Sequence, residues 1–536
     1  MNSKIQKKSK RGGAAASRRS GTLLLIVLVT IVILSLTAYT FTSLMQNEDE
    51  ASRLVTLRVQ SKYLVDSGLD YTRLFLSQSN ATIREKGGIW DNADTFQGIP
   101  VAISTTDPSR IGYFSVITSS LDQDSGTPEG SRFGLIDESS KINLNTLTYT
   151  DAIFPGSARE ILLALPDMTE EIADSILDWL DTDDEPREFG NESAYYTGEA
   201  QPYECKNGPM DSLDELLLIR GVTAEMLFGL DLNRNGLLDP AEANTADVSV
   251  SEADMYLGWS NYLTLYSNES NLTGEGLQRI NVNADDLEQL YDDLKSAFND
   301  EWANFIIYYR CSDTDPITEL PEEVEAQNAA AFPIDFSNPN LTSKRKLDSI
   351  VDLCFAYVDV AVFDDENLSG NSYVASPIQF LNMGFTIPTM MATLTTFEGL
   401  TIPGRVNLMQ APRAVLDAIP GLTDEQVDQI ISQRGDDFEL DSPDGADLNR
   451  KYETWLLVEG IVDLETMKSL MSFVCTGGDV YRAEITGYFP DGAGTSRAEV
   501  VLDTTVEVPR VLFWRDKSHL RSGFSLDTLG VDLLPQ

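Results

Sequence analysis

Histidine is almost missing from this chain of 536 residues, which has only His519, and cysteine is sparse at Cys205, Cys311, Cys354 and Cys475. With one imidazole near the C-terminal end, a His-dependent triad or a His-rich zinc site is all but excluded, and His519 reads as a surface residue. The cysteines are far apart and make no Cys-x-x-Cys pair, so no thiol redox motif is present and their pairing stays open. Positive charge is scarce as well. Lys and Arg number 39 against 85 Asp and Glu, for a formal net charge of −46. A surface that acidic repels nucleic-acid phosphates and anionic lipid and attracts divalent cations.

The positive charge that exists is concentrated at the start. Lys4, Lys7, Lys8, Lys10, Arg11, Arg18 and Arg19 stand before an uncharged apolar run from Thr22 to Met45, and the next acid is Glu48. At about 1.5 Å per helical residue this run is long enough to cross a ~30 Å hydrocarbon core once. The basic flank predicts a cytoplasmic N-terminus with everything after Met45 facing outward. A cleaved secretory signal fits poorly, because the run exceeds the usual ~7–15 residue signal core and no Ala-x-Ala-like site follows it. An uncleaved signal anchor stays open. So does a prepilin-type leader, which is cut after Gly21 on the cytoplasmic side and leaves the apolar helix in place.

Beyond the membrane the helical pattern continues: Leu54, Leu57, Leu64, Tyr71 and Leu74 fall near helical spacing with charges between them, and no proline interrupts. The spacing predicts a stem helix of about 50 residues. Extended segments follow at Pro100–Ser104 and Tyr113–Thr118, with a turn-rich stretch at Asp122–Ser131. The centre then repeats itself. Ile142-Asn143-Leu144-Asn145, Ile280-Asn281-Val282-Asn283 and Val406-Asn407-Leu408 each open a helical stretch. The first and third continue into a helix, a Leu-Pro or Ile-Pro break, a Thr N-cap (Thr169, Thr423) with acids in the first turn, and a second helix. A further helical hairpin trails each of them, at Leu213–Leu227 and Trp455–Met471. Such repetition indicates an α domain grown by duplication. Ser312–Lys346 reads as a long loop, and the chain after Met471 as an antiparallel meander ending at Arg510–Trp514. The fold class is therefore α+β: a long helix, an interrupted sheet domain, and a large all-α insert of repeated helical hairpins.

The sharpest chemical motif is DLNRNGLLDPAE, from Asp231 to Glu242, which fits the EF-hand loop position by position. Asp231, Asn233 and Asn235 hold positions one, three and five, and Gly236 makes the sharp turn. Leu237 offers a backbone carbonyl, Leu238 packs inward, Asp239 takes position nine and Glu242 binds bidentately. Oxygen ligands at these spacings suit Ca²⁺, and two neutral Asn ligands imply modest affinity. A single loop points to a structural staple rather than a sensor. A second acidic cluster, Asp178, Asp181, Asp183 and Asp184 with Glu185, is equally well read as a charged helix end or as a weaker calcium site. Paired carboxylates also serve glycoside hydrolysis, but no feature supplies a substrate groove, so the chain is expected not to be an enzyme. The hairpins LPDMT, IPGLT and IRGVT look like helix-hairpin-helix elements for DNA. The acids beside them oppose phosphate contact, and no nucleic-acid partner is expected.

Taken together, DESSKINLNTL (Asp137–Leu147), ILDWLDTDDEPR (Ile176–Arg187), Ala194–Thr223, VNLMQAPRAVLDAIPGL (Val406–Leu422) and the terminal VLFWRD resemble the K-type minor pseudopilin of type II secretion, the general secretion pathway protein K family. Most pseudopilins carry Glu at the fifth position after the cleavage glycine. Here that position is Ile26, and its lack of Glu is typical of the K-type. The resemblance implies a leader at 1–21, a transmembrane and stem helix at 22–78, and a pilin-like domain split between 79–141 and 472–536, with the insert at 142–471 between them. It further implies cleavage after Gly21 by the prepilin peptidase, methylation of Thr22, and an inner-membrane, single-pass protein whose bulk is periplasmic. The implied role is structural, at the tip of a short pseudopilus with I- and J-type minor pseudopilins and the inner-membrane assembly platform, and with calcium in the insert. The alternative is a membrane-anchored extracytoplasmic helix-hairpin-helix protein for DNA binding or uptake. The Asp231 loop and Ser312–Lys346 depart from the commoner family pattern.

Overall fold

The computed structural model describes residues 17–101, 111–121, 128–239, 242, 258–322, 324–363, 372–434, 449–492, 494–520 and 523–531. The basic leader before Ser17, the end of the expected strand at 102–104 and most of the expected turn, 122–127, lie outside them.

One helix, Ser17–Leu76, runs 60 residues without a break. From Leu23 to Met45 its apolar side chains are exposed, so this half has no protein core to pack against. It is long and apolar enough to cross a membrane. The other half buries Leu64, Val65, Phe75 and Leu76 on an antiparallel sheet. That sheet runs Ile99–Val101, Gly112–Val116, Val480–Tyr488, Thr495–Asp503 and Arg510–Asp516, with Ile136–Asp137 also pairing onto Val480–Tyr488. Its strands come from both ends of the sequence that follows the long helix, and everything from 138 to 479 is threaded between them.

Side chains alternate across a strand, which gives this sheet two different faces. Ala483, Ile485, Ala498, Val500 and Leu502 meet the stem helix through an apolar core. Gly487 lets the helix backbone come close, since a Cβ there would lie 2.5 Å from the Ser61 carbonyl oxygen. The opposite face carries Arg482, Glu484, Arg497 and Glu499, all buried or nearly so beneath the insert. They form ion pairs with one another and with their neighbours. Arg482 pairs with Glu138 at 2.6 Å and with Glu499, Arg497 pairs with Glu484, and Lys517 reaches Glu484 and Glu499 at 3.0 Å each.

The three Ile/Val-Asn openings share one construction. Ile142–Asn143 pairs in parallel with Leu263–Thr264, Ile280–Asn281 with Leu394–Thr395, and Val406–Asn407 with Val474–Cys475. In each, the Asn Oδ1 accepts the backbone N–H two residues on, at 2.9–3.0 Å. This local turn explains why Asn recurs there. The region read as all-α therefore also contains short strands, including a three-stranded sheet of Gln327–Asn328, Tyr373–Ala375 and Tyr357–Asp359. Two- and three-residue strands are too short to leave a period in the sequence. Thr169, Thr223 and Thr423 each accept the N–H of the residue three on as helix N-caps. A single apolar core runs from Ile142 to Val474. Of Ser312–Lys346, most is irregular, and the fully buried Arg310 ties it down by donating to Arg345 O at 2.8 Å and Ser343 Oγ at 2.6 Å. Asp137 closes the junction between sheet and insert: its Oδ2 accepts from Asn407 Nδ2 and from Gly478 N, both at 2.8 Å. All four cysteines are free and buried, and His519 is exposed.

Candidate metal centres

The helix Glu170–Leu180 turns Asp174 and Asp178 inward, where both are buried. Asp174 is neutralised by Arg159 at 2.9 Å. Asp178 sits deeper: its carboxylate accepts the Arg187 N–H at 3.2 and 3.3 Å, while the Arg187 guanidinium stands off at 3.6 Å. After the helix the chain doubles back through Pro186 and Gly190. A Cβ on Gly190 would collide with the Asp178 carboxylate, so only glycine allows so close a return. This return brings Glu192 alongside. Asp178, Asp181 and Glu192 each present a carboxylate oxygen within 4.8 Å of the others.

Glu192 is 3% exposed and has only the Cys205 thiol, a weak donor, beside its carboxyl; Asp181 Oδ1 is buried with no hydrogen-bond partner. Burial, and then the charges of Asp178 and Asp181, push the Glu192 carboxyl up to about 7. Burial raises Asp178 to about 6, with Asp181 adding to the rise and Arg187 opposing it. Asp181 is raised by burial and by Asp183. Two buried carboxylates and a part-exposed third, with one arginine standing off at 3.6 Å or more, form a site that a divalent cation would complete.

Of the four residues expected in this cluster, Asp178 and Asp181 come together. Asp183 and Asp184 remain exposed and are used otherwise: Asp183 Oδ1 accepts the Glu185 N–H, and Asp184 Oδ1 accepts from Asn207 Nδ2. Glu192 was not among the residues expected from sequence. It lies 14 positions after Asp178, and no spacing rule links them. The one local signal is the Pro-to-Gly return that carries the chain back.

The second centre is the loop from Asp231 to Glu242, of which residues 240–241 lie outside the described set. Asp231 Oδ1 and Oδ2 accept the N–H groups of Asn235 and Gly236 at 3.1 and 2.7 Å. Glu242 reaches back across the loop, accepting from Leu232 and Asn233 N–H with one oxygen and from Asp239 N–H with the other, at 3.0–3.1 Å. Gly236 has φ +78°, the left-handed turn that position six of such a loop demands. Asn233 Nδ2 donates to Asp239 Oδ2 at 2.6 Å, and Asn233 Oδ1 is buried with no partner. Leu238 packs inward against Leu230, whereas Leu237 packs against the sheet domain. Burial lifts Asp231 to about 6, with Glu242 adding its charge. Asp231, Asn235 and Glu242 thus accept from the loop's own amides, and Asp239 from the Asn233 side chain.

With this geometry in hand, residues 140–231 match the family model for type II secretion system (T2SS) protein K. The resemblance to the K-type pseudopilin family holds. The matched segment contains the Asn143 turn, the Asp178–Glu192 cluster and the first residue of the loop, and it covers most of the quoted family-like motifs before Leu232. No curated protein matches the chain. Among solved structures, a chain of the GspK-GspI-GspJ complex from the enterotoxigenic Escherichia coli type 2 secretion system aligns at 11% identity over 88% of this chain and 98% of that one, with a TM-score of 0.33. The K-type family is a structural component of secretion.

Proposed function

We propose that this chain is a structural minor pseudopilin at the tip of a type II secretion pseudopilus, supporting assembly and the export of folded proteins across the outer membrane. The observation that carries it is the continuous helix Ser17–Leu76, apolar and exposed in its first half and packed on an antiparallel sheet in its second, with a protein K segment opening the insert at 140. In this reading Gly21 and Thr22 flank the cut made by the prepilin peptidase and the new amino terminus at Thr22 is methylated. The helix anchors the protein once in the inner membrane, with its basic end cytoplasmic and its bulk periplasmic. Ile26 supports the tip position. A membrane Glu would pair with a neighbour's amino terminus, and a subunit without it has less need of one above. I- and J-type minor pseudopilins and the inner-membrane platform are the partners. The trio Asp178, Asp181 and Glu192 holds calcium as a structural ion, which would supply the positive charge that these buried carboxylates lack. No catalytic step is assigned to it.

Intact mass and N-terminal sequencing of the protein from its own membranes test the reading. A mature chain beginning at methylated Thr22 is the expected result. A chain that keeps Met1 through Gly21, from cells in which the peptidase processes other pilins, would overturn it.

A further inference from the structure

The Asp231 loop lies where the insert meets the charged face of the sheet, and its contacts reach three distant parts of the chain. The Arg234 carbonyl at position four accepts from Arg497 Nη2 at 2.6 Å and from Lys517 Nζ at 2.9 Å. Asn235 Nδ2 donates to the Gly523 carbonyl at 2.6 Å. Gly236 lies so close to Ser119 that a Cβ would fall 2.4 Å from its hydroxyl oxygen. Leu237 joins the cluster of Tyr113, Tyr488 and Phe524. A cavity of about 110 Å³ between Asp231, Asn235, Ser119 and Lys517 runs beside the loop.

Two acids of the loop are buried together at this junction. Asp231 is 7% exposed and Glu242 8%, and neither has an ion-pair partner among the described residues. Arg234 is the loop's own cation and lies within electrostatic reach of Asp231, but it ion-pairs with Asp214 at 3.5 Å, and no further Lys or Arg follows before Arg279. Lys517 is spent on Glu484 and Glu499. Asp231 and Glu242 are held by backbone N–H groups, yet they are like charges buried close enough for Glu242 to raise Asp231, and a bound cation would relieve that repulsion. The residues at positions one, three, five, seven, nine and twelve are those of an EF-hand loop, and Asn233 Oδ1 at position three is buried with nothing to bind.

We propose that the Asp231–Glu242 loop is a second calcium site, separate from the Asp178 trio, and that its ion clamps the insert onto the sheet. Calcium fixes the positions of the Arg234 carbonyl and the Asn235 amide, which are the groups that Arg497, Lys517 and Gly523 grip. Without the ion the like charges of Asp231 and Glu242 push the loop open and release that grip. The ligand set carries three carboxylates and two neutral amides, so half-saturation falls in the range of extracellular calcium modules, on the order of 10⁻⁴–10⁻³ M. The inference goes beyond the pseudopilin reading and does not depend on it.

The test uses the full-length protein in detergent, titrated with CaCl₂ by calorimetry and followed by amide hydrogen exchange with and without calcium. The expected outcome is two sites. Calcium should slow exchange at least tenfold both in the loop and in peptides covering 111–121, 494–520 and 523–531. Glu242→Gln should remove one site and this remote protection, whereas Glu192→Gln removes the other site and leaves the protection intact. Should Glu242→Gln fail to fold, Asn233→Ala deletes one ligand oxygen and should weaken the same site at least tenfold. Calcium protection confined to the loop, or unchanged binding in the loop variants, would overturn the clamp. Failure of cleavage at Gly21 would overturn only the pilus reading.

Discussion

Acid should distinguish the two centres. In the metal-free protein Glu192 holds its proton up to about 7 and Asp178 up to about 6, and both must be bare to bind an ion. Between about pH 7.5 and 5.5, competition from these two protons weakens apparent calcium binding at the trio about 100-fold. At the loop Asp231 is raised to about 6, and competition from its proton over the same change of pH weakens binding there about fourfold. The sign for stability follows from the same groups. Each raised carboxyl binds its proton more tightly folded than unfolded, so its contribution is present at acid pH and is lost as pH rises through about 6 and about 7. In chelator the melting temperature should therefore fall from pH 5 toward pH 8 relative to the same protein in calcium, and the gap between the two curves should widen. Calorimetric titration at three pH values, on Glu192→Gln to isolate the loop and Glu242→Gln to isolate the trio, measures both slopes. Equal slopes, or a change under tenfold at the trio, would refute the reasoning.

Three further outcomes concern the scaffold. Arg405 is buried between Glu269, at 2.6 and 2.8 Å, and Glu453, at 2.6 Å, so Arg405→Met strands two carboxylates and should cost about 3–5 kcal/mol in urea unfolding of the insert. Gly487→Ala forces a methyl against the Ser61 carbonyl and Leu64; it should cost about 1–3 kcal/mol and speed limited proteolysis of the stem helix, and an unchanged digestion rate would contradict the packing. Asp137→Ala removes the acceptor shared by Asn407 and Gly478 and leaves buried donors behind; about 1–3 kcal/mol should be lost, with hydrogen exchange rising first at 476–479.

Where a signal is local, the sequence carried it. The apolar run from Thr22 to Met45 and the helical spacing after it belong to one uninterrupted helix. The alternating strands after Met471 form the meander, because strand and helix periods are written into neighbouring residues. The recurrence of Ile/Val-Asn was readable as a repeat, and its cause, an Asn side chain closing a turn on the next residues but one, is equally local. The spacing of acids, amides and glycine from Asp231 to Glu242 is local in the same way. What pairs with these turns was not legible: the partner strands lie between 68 and 121 residues further on and are only two residues long.

Tertiary structure alone decided three things. It chose Glu192 over Asp183 and Asp184 as the third carboxylate, because a chain reversal at Gly190 sets which acids face inward, while adjacency in sequence only sets which are near. It turned the charged residues of Val480–Tyr488 and Thr495–Asp503 from a solvent-facing strand side into a buried ion network, because the insert covers that face. It also set the Asp231 loop against Arg497, Lys517 and Gly523, more than 250 residues away. Periodicity and ligand spacing are properties of a segment. Burial and charge compensation are properties of whatever the fold lays across it, and they are settled only when the distant parts of the chain meet.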